Sequence, residues 1–127
     1  MPFGTIRIQN AVFYAHHGVL KEEHRIGGRY EVDVAMELDF EAAAADDDLG
    51  RTVDYEHIYR LIREIVTTNS FYLIERLAYL IAQDILKTTP IISGIEVSVR
   101  KANPPVGGPC DYAEATYRTT RVRANNQ

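Results

Sequence analysis

Alternation of apolar and polar residues predicts two strands in the first forty residues. In the clearer strand, apolar residues share one parity and charged residues occupy the other: Tyr30, Val32, Val34, Met36, Leu38 and Phe40 against Glu31, Asp33, Glu37 and Asp39. This period of two is typical of a strand with one buried and one solvated face. An earlier, half-buried strand is predicted by a weaker alternation at Ile6, Ile8, Val12 and Tyr14.

The middle of the chain carries the spacing of two helices. Asp54 is a suitable N-cap for the first, whose apolar residues recur every three or four positions: Ile58, Leu61, Ile62, Ile65 and Val66. Ser70 is a candidate cap for the second, which Pro90 ends and whose apolar stripe is Ile74, Leu77, Ala78, Ile81 and Ile85. Residues 42–48 are expected to form a short connection, and residues 16–28 a long loop of the kind that often carries function.

Two more strands complete the pattern. Ile95, Val97 and Val99 alternate with polar residues, and a turn-rich segment over residues 103–109 leads to a fourth strand over roughly residues 112–122. Two helices between two strand pairs predict an α+β fold, with an antiparallel four-stranded sheet and both helices on its apolar face. Such a sheet has two open edges, so we expect self-association.

Composition narrows the class of protein. The 127 residues fit a single domain spanning residues 1–127, which buries roughly two-thirds of its unfolded surface without needing a disulfide or metal. The lone Cys110 excludes a disulfide framework, and the net charge of −4 argues against a general nucleic-acid binder. The longest apolar run has six residues, 77–82, and the N-terminus lacks a secretory signal, so we expect a cytoplasmic protein outside the membrane.

Lys101 is the most informative candidate for chemistry. It shares the parity of Val97 and Val99, which places it at the end of an apolar strand face. Lost hydration there disfavours the ammonium and lowers its pKa toward the range useful for proton transfer. The alternative is a strand-end lysine whose charged tip reaches water.

Three further residues are candidates with equally ordinary alternatives. Glu75 lies in the first turn of the second predicted helix, where a carboxylate is favoured and is able to accept paired N–H donors; the alternative is a solvated glutamate. Tyr55 follows the predicted cap, and a packed ring with a satisfied hydroxyl is its usual role. Glu23 lies within a charged run of the long loop and is otherwise a solvated residue.

The sequence offers little for a metal or a covalent nucleophile. His16 and His17 are adjacent, so in an extended segment they point to opposite sides, and no further His or Cys cluster completes a site. Cys110 has no partner pattern for nucleophilic catalysis. We therefore predict no metal and no cofactor.

Five segments of the chain resemble the dihydroneopterin aldolases, enzymes of folate biosynthesis. They follow the family's order and spacing over nearly the whole chain: Phe13-Tyr14-Ala15-His16-His17-Gly18-Val19; Glu23 with Ile26-Gly27; Asp48-Leu49 and Thr52-Val53-Asp54-Tyr55; Leu73-Ile74-Glu75-Arg76-Leu77-Ala78; and Val99-Arg100-Lys101-Ala102-Asn103-Pro104-Pro105. One departure is Gly28, where the family often carries a glutamine.

The resemblance implies a metal-independent retro-aldol reaction. 7,8-Dihydroneopterin would give 6-hydroxymethyl-7,8-dihydropterin and glycolaldehyde, with the imine of the reduced pterin ring as electron acceptor and no Schiff base to the protein. By this resemblance Lys101 is the general acid/base and Tyr55 takes part in proton transfer and substrate contact. Glu75 grips the pterin N–H groups beside a backbone contact from Ile74, and Glu23 is a further carboxylate near the substrate side chain.

The resemblance also implies the tunnelling fold and a homo-octamer. Four-stranded protomers join their sheets edge to edge in a ring, two tetramer rings stack, and the sites lie at subunit interfaces. Residues of one site therefore need not converge within one chain.

Three other functions stay open from the sequence. The related epimerase of dihydroneopterin triphosphate shares the fold and the lysine but lacks the Asn-Pro-Pro and His-Gly patterns, and an aldolase itself epimerises carbon 2′ if its cleavage reverses. Zinc-dependent pterin synthases are disfavoured by the missing histidine cluster. A non-catalytic pterin-binding oligomer would use Glu75 but not Lys101.

Overall fold

The computed structural model describes residues 3–121 as one sheet covered by helices on one face. The strands are β1 (Gly4–Ala15), β2 (Gly28–Leu38), β3 (Gly94–Ala102) and β4 (Tyr112–Thr120). The helices are α1 (Lys21–Ile26), α2 (Glu41–Asp46), α3 (Tyr55–Thr67) and α4 (Ile74–Thr88), with a 3₁₀ turn at Leu49–Arg51. Neighbouring strands are antiparallel in the order β1-β2-β3-β4, which confirms the predicted α+β fold.

The core lies between the sheet and the two long helices. Alternate residues of β2 from Tyr30 to Leu38 are at most 1% exposed, and the helix stripes that cover them include Ile58 and Ile62 of α3 and Leu77 and Ile81 of α4. Asp54 caps α3 by accepting the Glu56 N–H, as the sequence predicts. Burial of these apolar faces is the main source of stability for such an arrangement.

In β1 the predicted face is correct only for the first half of the strand. Ile6 and Ile8 are half-buried and pack on the core, but the register with β2 shifts between Ile8 and Ala11. After this bulge Ala11, Phe13 and Ala15 are buried, while Tyr14 is 75% exposed. The prediction that Val12 and Tyr14 share the inner face is wrong, because an extra residue in a strand exchanges its two faces.

Three local predictions also need correction. The loop over residues 16–28 contains helix α1, and the connection over residues 42–48 contains most of helix α2. Ser70 does not cap α4: its hydroxyl donates to the His16 carbonyl, and Leu73 occupies the N-cap position without a side-chain bond. The predicted end of the fourth strand at Val122 lies outside the described residues, within which β4 ends at Thr120.

The opposite face of the sheet is polar and centred on Arg100. Its guanidinium donates to Asp33 at 2.5 and 3.0 Å, to Glu31 at 3.1 Å, to Glu114 at 3.0 Å and to Asn10 at 3.2 Å. The arginine thereby joins all four strands.

No helix among residues 3–121 has the length and apolar character needed to cross a bilayer.

Candidate functional site

Four of the five predicted site residues line one groove. This lysine groove has a volume of about 350 Å³ and contains Glu23, Ile74, Glu75 and Lys101. Its remaining wall comes from residues 18–20, 72–73, 104–105 and Ala113. Loop, helix N-terminus and strand end therefore meet at one place near β4, which is an edge strand.

Lys101 lies at the end of β3, opposite Tyr30 of β2. Its Nζ forms an ion pair with the Glu23 carboxylate and donates to the His17 carbonyl at 3.1 Å. Only 12% of the side chain is exposed, and burial lowers the pKa of Lys101 below its ordinary value. This is the environment that the apolar parity of β3 predicted.

Glu23 is held by the short helix α1. One carboxylate oxygen accepts the Leu20 N–H at 3.0 Å, and the other contacts Lys101 Nζ. Gly18 makes this approach possible: its φ is +139°, and a Cβ there would overlap the Glu23 carboxylate. A glycine is required for both reasons.

Ile74 and Glu75 begin helix α4 at the other side of the groove. Leu73 provides no side-chain cap, so the first N–H groups of α4 have no side-chain acceptor among residues 3–121. Glu75 is exposed, and three large, exposed apolar side chains line the same groove: Val19 is 70%, Tyr72 69% and Leu73 50% exposed. The groove thus combines an apolar rim with a carboxylate and backbone donors, as binding sites for small molecules commonly do.

Tyr55 lies elsewhere. It is 62% exposed at the start of α3 and lines a separate concavity of about 350 Å³, here called the tyrosine pocket, with Ile8, Glu56, Tyr59 and Arg60. Ile8 belongs to β1, at the sheet edge opposite β4. One chain therefore carries four candidate residues near one edge of the sheet and Tyr55 near the other. A larger concavity, about 540 Å³ on the polar face, contains none of them.

His17 and Tyr30 support the groove, although the sequence did not suggest this role. His17 is fully buried, and its ring accepts the Phe71 N–H at Nδ1 at 2.9 Å and donates from Nε2 to the Val66 carbonyl at 2.8 Å. Burial lowers the pKa of His17, which agrees with a neutral ring. His16 is exposed, and residues 3–121 contain no group of three or more His, Cys, Asp or Glu side chains suited to a metal. The support of the lysine groove by His17 and Tyr30 had one signal in the sequence, the position of Tyr30 on the apolar side of the β2 pattern, which predicted its burial.

Comparisons with known proteins agree on one family. The family model for FolB, dihydroneopterin aldolase, matches residues 6–118. A dihydroneopterin aldolase of Streptococcus pyogenes serotype M6 is 37% identical over 103 residues, 81% of this chain and 87% of that protein. One from Bacillus subtilis strain 168 is 33% identical over 119 residues, 94% and 98% of the two chains. The crystal structure of E. coli dihydroneopterin aldolase in complex with neopterin has a TM-score of 0.84 at 20% identity, over 91% of this chain and 98% of that one, and shows the same fold.

Proposed function

This chain belongs to the dihydroneopterin aldolase family of lyases, and we propose that its lysine groove carries out the cleavage of 7,8-dihydroneopterin with Lys101 as general acid/base. The observation that carries the proposal is the position of Lys101 Nζ, between the Glu23 carboxylate and the His17 carbonyl in a largely apolar groove. A lysine with a lowered pKa exchanges protons nearer neutral pH than an exposed one.

The reaction needs one proton removed and one returned. The base takes the proton of the hydroxyl on the side-chain carbon that becomes glycolaldehyde, and the bond between carbons 1′ and 2′ breaks. Its electron pair moves into the C6=N5 imine of the dihydropterin ring and leaves an enamide anion, with the negative charge on N5, until a proton arrives. Return of the proton to carbon 1′ gives 6-hydroxymethyl-7,8-dihydropterin. Lys101 serves both steps, and the neighbouring Glu23 carboxylate stabilises its charged form.

Recognition of the pterin is assigned to the start of α4. The Glu75 carboxylate is able to accept the 2-amino and ring N–H groups side by side, while the Ile74 backbone supplies a donor for the ring carbonyl. The exposed side chains of Val19, Tyr72 and Leu73 give the flat heterocycle an apolar surface to contact. This division assigns binding to Glu75 and proton transfer to Lys101.

A second copy of the chain would complete the site with Tyr55. The lysine groove includes Ala113 of edge strand β4, and the tyrosine pocket includes Ile8 of edge strand β1. Because β1 and β4 run in opposite directions, β4 of one protomer and β1 of the next are able to continue the antiparallel sheet into a ring. We propose the homo-octamer of two stacked tetramer rings, with each site shared between subunits. A monomer at micromolar concentration in sedimentation velocity would contradict this assembly.

The decisive test is turnover by the purified protein. Incubation with 7,8-dihydroneopterin, without added metal or nucleotide, is expected to yield 6-hydroxymethyl-7,8-dihydropterin and glycolaldehyde, separated by chromatography. Recovery of only the 2′ diastereomer would favour the epimerase. Unchanged substrate from folded, assembled protein would favour the non-catalytic pterin-binding oligomer.

Variants separate binding from chemistry. Lys101→Ala is expected to abolish turnover while pterin binding, measured by calorimetry, is retained; Glu75→Gln is expected to weaken binding. Lys87→Ala, an exposed lysine at the end of α4, is the matched control. Turnover that is indifferent to Lys101→Ala would remove the lysine from the mechanism.

A further inference from the structure

Tyr30 holds both backbone groups of one loop residue. Its side chain is fully buried on β2, where the hydroxyl donates to the His17 carbonyl at 2.5 Å and accepts the His17 N–H at 3.2 Å. Burial raises the pKa of the Tyr30 hydroxyl, so it remains a donor throughout the neutral range. The same carbonyl accepts Lys101 Nζ, whose ammonium lies 5.7 Å from the centre of the Tyr30 ring.

The rest of the His17 segment is fixed from the helix side. The imidazole bonds the Val66 carbonyl and the Phe71 N–H and stacks on the Phe71 ring, while the Gly18 N–H donates to the Phe71 carbonyl at 2.9 Å. The His17 carbonyl is therefore an acceptor with little freedom to move. It presents one lone pair to Tyr30 and the other to Lys101.

We propose that Tyr30 is a positioning residue for Lys101, acting through the His17 carbonyl that both side chains share. The lysine nitrogen is tetrahedral, and the His17 carbonyl and the Glu23 carboxylate fix two of its three outer positions. The direction of the third position is then fixed. This position holds a hydrogen when Lys101 is an ammonium and the lone pair when it is a neutral amine. Proton transfer depends steeply on such alignment, so the buried phenol sets the direction in which Lys101 acts.

This inference rests on the proposed role of Lys101, and its test uses Tyr30→Phe. The variant keeps the ring beneath the ammonium and removes only the hydroxyl. We expect kcat to fall about tenfold or more while KM changes by less than about twofold, because the pterin contacts at Glu75 are untouched. Tyr117→Phe is the matched control: Tyr117 is half-buried on β4 and its hydroxyl accepts a bond from Gln83 at 3.4 Å. Its kcat is expected to equal that of the parent.

A second variant reaches the same carbonyl from the other side. His17→Asn is able to keep an acceptor for the Phe71 N–H but is too short for the Val66 carbonyl, so it loosens the His17 backbone. It also removes the edge-on contact between the imidazole and the Tyr30 ring, whose centres lie 5.2 Å apart, but leaves the Tyr30 hydroxyl and Lys101 in the chain. It is expected to show the same fall in kcat with little change in KM. This variant carries the test if Tyr30→Phe does not fold.

The outcomes separate this inference from the proposed function. If Lys101→Ala is inactive but Tyr30→Phe and His17→Asn keep the parental kcat, Tyr30 is only a structural residue and the inference is wrong while the role of Lys101 stands. If the two variants are less stable than the parent but keep its kcat per folded site, Tyr30 is likewise only a structural residue. If Lys101→Ala keeps its turnover, the proposed role of the lysine is wrong and the inference falls with it.

Discussion

Gly18 is the residue on which the approach of Glu23 to Lys101 most directly depends. The Gly18→Ala change forces a side chain into a φ of +139° and against the Glu23 carboxylate. We expect a loss of about 1–3 kcal/mol in the free energy of unfolding. Displacement of Glu23 by about 1 Å is expected to lower kcat by up to about 100-fold. Urea unfolding and steady-state kinetics measure the two effects.

Gly108→Ala is the control for that change. A Cβ at Gly108 meets no atom within 4 Å, and its φ lies outside the left-handed range. Both stability and kcat are expected to remain at the parental values. Full activity of Gly18→Ala would show that the carboxylate does not need its present position.

His17 makes stability depend on pH. Burial places the pKa of His17 in the folded protein below its value of about 6.5 in the unfolded chain. Below that pH the unfolded chain binds more protons, so stability falls as pH decreases from about 6.5, by up to about 1.4 kcal/mol per pH unit. Denaturant unfolding at pH 7.5 and pH 5 is expected to show a smaller difference in His17→Asn than in the parent.

The exposed histidine of α3 is the comparison for this pH effect. His57→Gln is expected to keep the parental difference between pH 7.5 and pH 5, because His57 is an exposed residue on the surface of the helix. An unchanged pH dependence in His17→Asn would mean that another group binds the protons.

At the residue scale the sequence predicted positions better than contacts. The parity of β3 was enough to place Lys101 at the end of an apolar face, since residues two apart in a strand share a side. The alternating pattern of β2 predicted the burial of Tyr30 in the same way. It did not predict the hydrogen bonds between Tyr30 and the His17 backbone, because His17 lies in a loop, and a loop has no periodic pattern from which its conformation follows.

Among the elements, β1 shows where a periodic pattern misleads. Asn10 adopts a left-handed φ of 58°, and its N–H donates to Asp33 at 2.6 Å across the strand pair. The resulting bulge adds one residue, so the apolar residues of the two halves of β1 have different parity. Asparagine tolerates this conformation better than most residues, but a single Asn is too common a signal to predict a bulge.

The ion-pair network on the polar face is an element-scale source of stability. Arg100 is 12% exposed, and its hydrogen bonds lower the pKa of Asp33. Arg100→Gln leaves Asp33 and Glu114 without their cation, while Glu31 keeps its ion pair with Arg29, so we expect a loss of about 2 kcal/mol at pH 7. A carboxyl group whose pKa is lower in the folded than in the unfolded protein stabilises the fold at pH values above its unfolded pKa. This stabilisation is lost as the pH falls through the folded pKa. The difference between variant and parent should therefore narrow below about pH 4.

Denaturant unfolding at pH 7 and pH 3.5, at constant protein concentration, measures this network. Arg118→Gln is the control, because its pair with Glu96 at 3.1 Å is 73% exposed on the arginine side and such pairs contribute less than about 1 kcal/mol. Equal losses for the two variants would mean that the network adds nothing beyond an ordinary surface pair.

At the scale of the whole molecule, the chain carries candidate site residues at both edges of its sheet, in two separate concavities. Glu23, Glu75 and Lys101 converge although 78 positions separate the first from the last, because the antiparallel fold brings loop, helix start and strand end together. Tyr55 stays with the tyrosine pocket. Periodicity describes only the folding of one chain, so the proposed pairing of these two edges rests on the family resemblance.

Hybrid assemblies test whether neighbouring chains share the site. Tyr55→Phe and Lys101→Ala are each expected to be nearly inactive alone, since every site in either assembly lacks one residue. Co-assembly of equal amounts places an intact Tyr55 beside an intact Lys101 at random in about a quarter of the interfaces, so about a quarter of parental activity should return. Mixing the two preformed assemblies without exchange of subunits is the control and should restore nothing. If co-assembled hybrids stay inactive while native mass spectrometry shows mixed rings, Tyr55 and Lys101 do not act across an interface.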